Sequence, residues 1–271
     1  MPELPEVETT VRGIRPLVEG KCVREVVVRE RRLRWPVAHG INRILSGKRI
    51  LCVHRRAKYI LIKFSHGTLM IHLGMSGRLQ VVPKNVAPAK HDHVDIVLVG
   101  GKVLRFRDPR RFGSVLWVRG DPQIAPLLSR LGPEPFDEAF TGSLLFEAAR
   151  GRRLAIKNFI MDGRIVVGIG NIYASEALFR AGIHPARAAG RVGLRRYQHL
   201  VQAIREVLAD AIAAGGTSLR DYAGVTGEPG YFECSLKVYE RVGEPCVNCG
   251  AIIQHKVIGQ RASYYCAHCQ H

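Results

Sequence analysis

The chain has no apolar run approaching the about 18 consecutive residues that cross a bilayer. Its N-terminus lacks the basic stretch followed by an apolar one that marks a secretory leader. A cytoplasmic protein without a membrane partner is therefore expected. No internal repeat is present, which excludes a solenoid. Acidic residues are scarce, 23 against 41 Lys and Arg, and the net charge is +18. The shortage is uneven: residues 1–130 carry 25 basic and 10 acidic side chains, residues 131–271 carry 16 and 13. A merely soluble basic protein could share this charge, but the asymmetry points to a polyanion, most often nucleic acid. The cysteines number seven in 271 residues. An odd count in this size and compartment argues against a disulfide framework. Cys22 and Cys52 lie in strand-like runs and read as buried apolar residues, and Cys234 is isolated.

What is present supports one large domain or two ordinary ones, with 46% hydrophobic residues to build cores. Val7, Val11, Ile14 and Val18 recur at helical spacing, predicting a helix over 5–18. Pro5 suits its first turn, and Glu6 and Glu8 suit the positive end of its dipole. Pro2 and Glu3 precede that helix and are not explained by it. From 22 to 118, about eight short Val/Ile/Leu-rich runs separated by turns predict an antiparallel sandwich or flattened barrel. Pro and Gly cluster over 120–140, a linker. Helices are expected at 143–150, 153–161, 170–181 and 195–214. The aperiodic, Gly-rich stretch 215–230 reads as a long loop, a length that is usually functional or disordered.

The sharpest local signal is the spacing C-x2-C-x16-C-x2-C formed by Cys246, Cys249, Cys266 and Cys269. Two such pairs favour a closed structural zinc site over a redox pair. Between them, Gly259 and Arg261 fall at the tip of a hairpin. An Arg there reaches a phosphate, or is simply solvated. In HLGMSGRL, Met75 stands between Gly74 and Gly77, either as a wedge between bases or folded back on the sandwich. In DPRRFG, Arg110 and Arg111 precede Phe112, which suits a duplex with one base displaced, or a basic turn over a buried Phe. Lys58 in RRAKYI precedes an apolar strand and is suited to phosphate binding or proton transfer. Asn171 in GIGNIYASE follows a Gly-rich turn at a helix start, either a phosphate site or a plain N-cap.

MPELPEVE, RRAKY, HLGMSG, DPRRFG, GIGNIYASEALF and the four-cysteine finger occur in this order. Together they resemble the bacterial formamidopyrimidine-DNA glycosylase family, whose members are also called 8-oxoguanine DNA glycosylases. The resemblance spans nearly the whole chain and rests on the joint order. It implies an α+β multidomain fold: a catalytic N-terminal β-sandwich with flanking helices (1–130), a helix–two-turn–helix DNA-binding domain (131–230) and a zinc-finger hairpin (231–271). It implies a monomer that acts on double-stranded DNA with oxidised purines, holds one structural zinc, and associates with the nucleoid when bound to DNA.

The resemblance also implies roles. With Met1 removed, Pro2 would present a secondary amine as nucleophile, partly neutral at physiological pH because α-amino groups titrate near pH 8. Glu3 would act as general acid, for which its carboxyl needs a raised pKa. Glu6 matches a further family carboxylate, although the helix dipole accounts for it equally well. Lys58 and Arg261 would hold phosphate and assist β- and δ-elimination. Met75, Arg110 and Phe112 would fill the gap left by an everted base, with Arg110 facing the orphaned cytosine. His72, His91, Arg152 and Asn171 match positions on or near DNA, and Arg220 lies in the 217–228 loop that would cover the flipped base.

Two rivals remain at this point. Endonuclease VIII, acting on oxidised pyrimidines, shares Pro2, Glu3 and the finger, but Leu4, GMSG and PRRFG match the 8-oxoguanine branch. A non-catalytic zinc-finger DNA-binding protein would share the charge and the cysteines. It would not need a free Pro2 amine beside Glu3 or a wedge such as Met75.

Overall fold

A computed structural model describes residues 2–216 and 236–271. Most of the expected 215–230 loop, Arg220 included, lies outside the described residues, as does Cys234. The chain divides into two compact units, one of residues 1–129 with 214–231 and the other of residues 130–213 with 232–271. No helix among the described residues is long and apolar enough to cross a membrane.

The first unit opens with helix α1 (Leu4–Val18). The four apolar residues at helical spacing, Val7, Val11, Ile14 and Val18, are all buried. Each stabilises the fold by about 1.5–3 kcal/mol relative to an exposed position. Eight antiparallel strands follow in two sheets of four. One sheet has the order β1 (Val23–Val28), β6 (Asp92–Leu98), β7 (Lys102–Arg107), β5 (Arg78–Pro83). The other runs β2 (Cys52–Arg56), β3 (Tyr59–Phe64), β4 (Gly67–His72), β8 (Ser114–Arg119). Alternate residues of both sheets share one core with α1: Ile60, Ile62 and Phe64 of β3, and Val94, Ile96 and Leu98 of β6. A five-residue helix α2 (Ile41–Leu45) buries Ile41 and Leu45 one turn apart; its shortness hides it from a periodicity search. Cys22 and Cys52 are half-buried rather than core residues.

The connectivity matters more than the layers. The chain crosses between sheets at 73–77, from β4 to β5, and at 108–113, from β7 to β8. Because β4 pairs with β8 and β5 with β7, His72 lies opposite Ser114 and Arg78 opposite Arg107. The two crossovers therefore leave the same end of the sheets, side by side.

The second unit contains α3 (Gly142–Ala149), α4 (Ile156–Ile160), α5 (Asn171–Arg180) and α6 (Leu194–Ala213). Strands β9 (Gln254–Ile258) and β10 (Arg261–Tyr265) form its hairpin. Helix α4 starts at Ile156, not at the expected 153. The residues before it pair instead: Ala155 bridges Ala188, and the Ala189 N–H donates to the Leu154 carbonyl at 2.8 Å. The 131–230 and 231–271 segments share a core, in which Phe179 of α5 packs with Val238, Cys246, Ile253 and Cys266. The buried Glu176 carboxylate of α5 supplies a second link. It accepts the backbone N–H groups of Lys237, Val238 and Tyr239 at 2.9, 3.0 and 2.8 Å.

Removing that acceptor strands three N–H groups. Glu176→Ala is expected to cost about 3 kcal/mol of stability and to raise amide exchange at 237–239 first. Denaturant unfolding with hydrogen exchange on the zinc-loaded protein measures both. A loss under about 0.5 kcal/mol would remove Glu176 from the structural framework.

Candidate functional site

Pro2 is buried, and Glu3 follows it in extended conformation as the N-cap of α1. Glu3 and Glu6 form a capping box. The Glu3 N–H donates to Glu6 Oε2 at 2.7 Å, and the Glu3 side chain accepts the Glu6 N–H in return. Both residues are 3% exposed. Glu3 is thus part of the helix entry, where the sequence pattern left it unexplained. At the far end of this unit, a Cβ on Gly216 would sit 3.2 Å from Glu6 Oε1, so the chain returns to this carboxylate.

Lys58 lies in the two-residue turn between β2 and β3, where Arg56 pairs with Tyr59. The preceding Ala57 is buried with φ +53°, a left-handed conformation rare for a residue with a side chain. Arg55 holds it there: its guanidinium donates to the Ala57 carbonyl at 3.0 Å and to Glu8 Oε2 of α1 at 3.0 Å. Burial alone would raise the Glu8 carboxyl, but hydrogen bonds and charge from Arg12 and Arg55 outweigh it and hold the pKa down. The Lys58 turn is thereby tied to the helix that carries Glu3 and Glu6.

His72 ends β4 with its ring 4.9 Å from that of Tyr59. Burial first, then the charges of Lys58 and Arg34, lower its pKa to about 4. The Gly74 N–H donates to Nδ1 at 3.0 Å. An accepting Nδ1 makes the imidazole neutral, with its proton on Nε2.

The two crossovers carry the other candidates of this unit. Met75 is 37% exposed and Phe112 is 47% exposed, so neither side chain is buried. The Arg110 guanidinium lies 4.9 Å over the Phe112 ring. Arg111, at φ +57°, turns the chain between them and pairs with Glu30 at 3.4 Å. The loops touch backbone to backbone. A Cβ on Gly74 would meet Gly113 N and Phe112 C, each at 2.5 Å. His91 is half-buried beside His93, their rings 6.3 Å apart. The sequence reading missed the groups beneath: Asp108, 0% exposed, and Ser76, which join the loops by hydrogen bonds. Only the D of DPRRFG hinted at them.

In the second unit, Gly170 is the N-cap of α5, and Asn171 is the first helical residue rather than the cap. Its side chain donates to the Ala262 carbonyl at 3.1 Å. Lys157, 0% exposed, completes the link. Its Nζ donates to Asn171 Oδ1 at 2.6 Å, Ser263 Oγ at 2.7 Å and the Ala262 carbonyl at 2.9 Å. These contacts fix the strand at the residue after Arg261, which is exposed at the start of β10. Gly259 and Gln260 make the hairpin turn, both with positive φ. A lysine inside an apolar helix pattern gave no sign of this role. Arg152 is exposed, its guanidinium 5.5 Å from the Phe159 ring centre. Arg220 lies outside the described residues.

The four cysteine sulfurs lie within 4.8 Å of one another. Cys246 and Cys269 are 3.9 Å apart, and Cys249 and Cys266 3.5 Å. Zn–S bonds of about 2.3 Å give a tetrahedron with edges of about 3.8 Å. The sulfurs fit that metal and close its coordination, so the zinc is structural.

Three family models match the chain: "Formamidopyrimidine-DNA glycosylase N-terminal domain" over residues 1–115, "Formamidopyrimidine-DNA glycosylase H2TH domain" over 131–223, and "Zinc finger found in FPG and IleRS" over 243–271. A formamidopyrimidine-DNA glycosylase of Syntrophotalea carbinolica is 59% identical over 270 residues, covering 100% of each chain. One of Alkalilimnicola ehrlichii is 57% identical over 276 residues, again with 100% of each covered. Among solved structures, the MutM (Fpg) protein of Thermus thermophilus superposes with a TM-score of 0.89 at 40% identity, covering 99% of this chain and 98% of the other. A mutant of the Lactococcus lactis Fpg, solved with Fapy-dG-containing DNA, gives 0.92 at 32% identity with 99% of each covered.

Two outcomes follow from this geometry. Zinc removal by a chelator is expected to raise amide exchange across β9 and β10 and to weaken DNA binding, because structural zinc supplies folding energy. Unchanged protection after verified metal loss would contradict it. His72 is expected to stay neutral in NMR titration down to about pH 4. A folded pKa below the unfolded value means its stabilising contribution is complete above about pH 6.5. That contribution is lost as pH falls through the folded value. Titration near 6.5 would show that the ring is not held as described.

Proposed function

Because the chain belongs to the formamidopyrimidine-DNA glycosylase family, we propose a division of labour among its residues for the removal of oxidised purines from DNA. The protein is a DNA glycosylase for oxidised purines, with the AP lyase activity of its family. Catalysis is assigned to 1–130, DNA binding by the helix–two-turn–helix to 131–230, and the zinc hairpin to 231–271.

Once Met1 is removed, the Pro2 nitrogen is a secondary amine with a free lone pair. It attacks C1′ of the damaged nucleotide, and the glycosidic bond breaks with its electron pair leaving on the base, which ends protonated as the Pro2 nitrogen sheds its own proton. Glu3 supplies a proton to the sugar ring oxygen as the ring opens, giving a Schiff base. The iminium acidifies the C2′ proton; its loss expels the 3′ phosphate, and a second elimination expels the 5′ phosphate. Lys58 and Arg261 carry positive charge to those phosphates, and Asn171, His91 and Arg152 bind the backbone. His72 serves as a neutral Nε2–H donor rather than a cation. Met75, Arg110 and Phe112 fill the duplex where the base has left, Arg110 facing the orphaned cytosine. Arg220 belongs to the loop over the everted base.

The observation that carries this reading is the exposure of Met75 and Phe112 on two interlocked loops, in the same unit as a buried Pro2–Glu3 helix entry. Two large apolar side chains held out to solvent beside a guanidinium need a partner with stacked faces and negative charge. DNA bases and phosphates supply both. The same reading gives a cytoplasmic monomer that meets its substrate on the nucleoid, as the family resemblance implies.

Incubating Met-processed protein with an 8-oxoguanine:cytosine duplex and borohydride is expected to leave a covalent adduct on Pro2, located by mass spectrometry. A chain that retains Met1 is expected to form none, since its Pro2 nitrogen is an amide. An adduct on another residue would move the nucleophile; no adduct with binding intact would direct the test to oxidised pyrimidines.

A further inference from the structure

We propose that Ser76 and Asp108 form a clasp that holds Met75, Arg110 and Phe112 as one rigid wedge, and that both are positioning residues for base eversion. The proposal rests on the reading of those three side chains as the wedge.

The Asp108 carboxylate is divided between the two crossovers. Oδ1 accepts from the Ser76 hydroxyl at 2.7 Å, and Oδ2 accepts from the Gly113 N–H at 2.7 Å. The Ser76 oxygen in turn accepts the Arg110 N–H at 3.2 Å. Each wedge residue is therefore fixed at its own backbone or at its neighbour's. Ser76 follows Met75, Gly113 follows Phe112, and Arg110 is bound directly. The Asp108 carbonyl completes the frame, accepting His93 Nε2–H at 2.8 Å and the Arg111 N–H at 3.2 Å. A Cβ at position 113 would come 2.6 Å from the His72 carbonyl oxygen and 2.7 Å from the Phe106 ring, so glycine there lets the chain lie close above Asp108.

The wedge side chains are exposed, so their placement comes from the backbone beneath them. Hydrogen bonds to a buried carboxylate are stronger than neutral ones, and dry surroundings strengthen them further. A wedge displaces a stacked base only if it yields less than the stack does. The clasp supplies that stiffness by making two separate loops move as one. An abasic site has no base to unstack, so strand cleavage at such a site depends on the clasp much less than excision does.

Single-turnover kinetics of Ser76→Ala on two matched duplexes tests this. One duplex carries 8-oxoguanine opposite cytosine and the other a ready-made abasic site. Excision of 8-oxoguanine is expected to fall by about tenfold or more, the scale of one lost hydrogen bond to a charged group. Cleavage of the abasic duplex is expected to stay within about twofold, and the thermal midpoint to fall by no more than the few degrees that one lost buried hydrogen bond costs. Equal losses on both duplexes would reduce Ser76 to a general structural role, and no loss on either would show that the wedge stands without the clasp; either outcome overturns the proposal. A wild-type chain that cuts the abasic duplex but leaves 8-oxoguanine in place would sink the substrate reading itself.

Discussion

The candidate wedge depends on one close approach. At Gly74 the two sheet crossovers come together with no room for a Cβ between them. Topology forces the approach: β4 pairs with β8 and β5 with β7, so the chain must change sheets twice at the same end. Loops that close pack as a unit rather than as separate arms. Their outward residues, Met75, Arg110 and Phe112, then share a face that no local sequence rule would place together.

Buried charge is the second organising device, and it recurs at each functional element. Asp108 joins the crossovers, Glu176 gathers three backbone N–H groups ahead of the finger, and Lys157 ties Asn171 to the strand behind Arg261. Burying a charge is costly unless hydrogen bonds compensate it, and each of these is compensated. Removing any one partner leaves the rest unsatisfied. The charges therefore enforce a single arrangement of loops that carry little apolar packing of their own. The Lys58 turn follows the same logic on a smaller scale, with Arg55 and Glu8 holding a left-handed Ala57 in place.

The arrangement also separates rigid parts from reactive ones. The core of α1 and the two sheets is apolar and close-packed. The residues assigned to chemistry sit at its edges: Pro2 and Glu3 at a helix entry, Lys58 in a turn, Met75 and Phe112 on crossovers. At the Lys58 turn and the two crossovers, such positions permit exposure and unusual backbone angles while the scaffold below stays fixed.

Much of this was legible in the sequence because it is local. Period-3.6 spacing marked α1, short Val/Ile/Leu-rich runs between turns marked the eight strands, and paired CxxC knuckles marked the zinc. Each pattern reflects contacts or ligands carried by a short stretch of chain. The start of α4 and the roles of Ser76, Asp108, Lys157 and Glu176 were not legible. They depend on partners that arrive from elsewhere: Ala188 pairs with Ala155, Asp108 bonds Ser76 across 32 positions, and Lys157 bonds Ser263 across 106. Local patterning thus specified the elements, the metal ligands and the residue types available for chemistry. Which of those residues stand together emerged with the folded chain alone, because hydrogen bonds and close backbone contacts between distant segments leave no periodic trace along it.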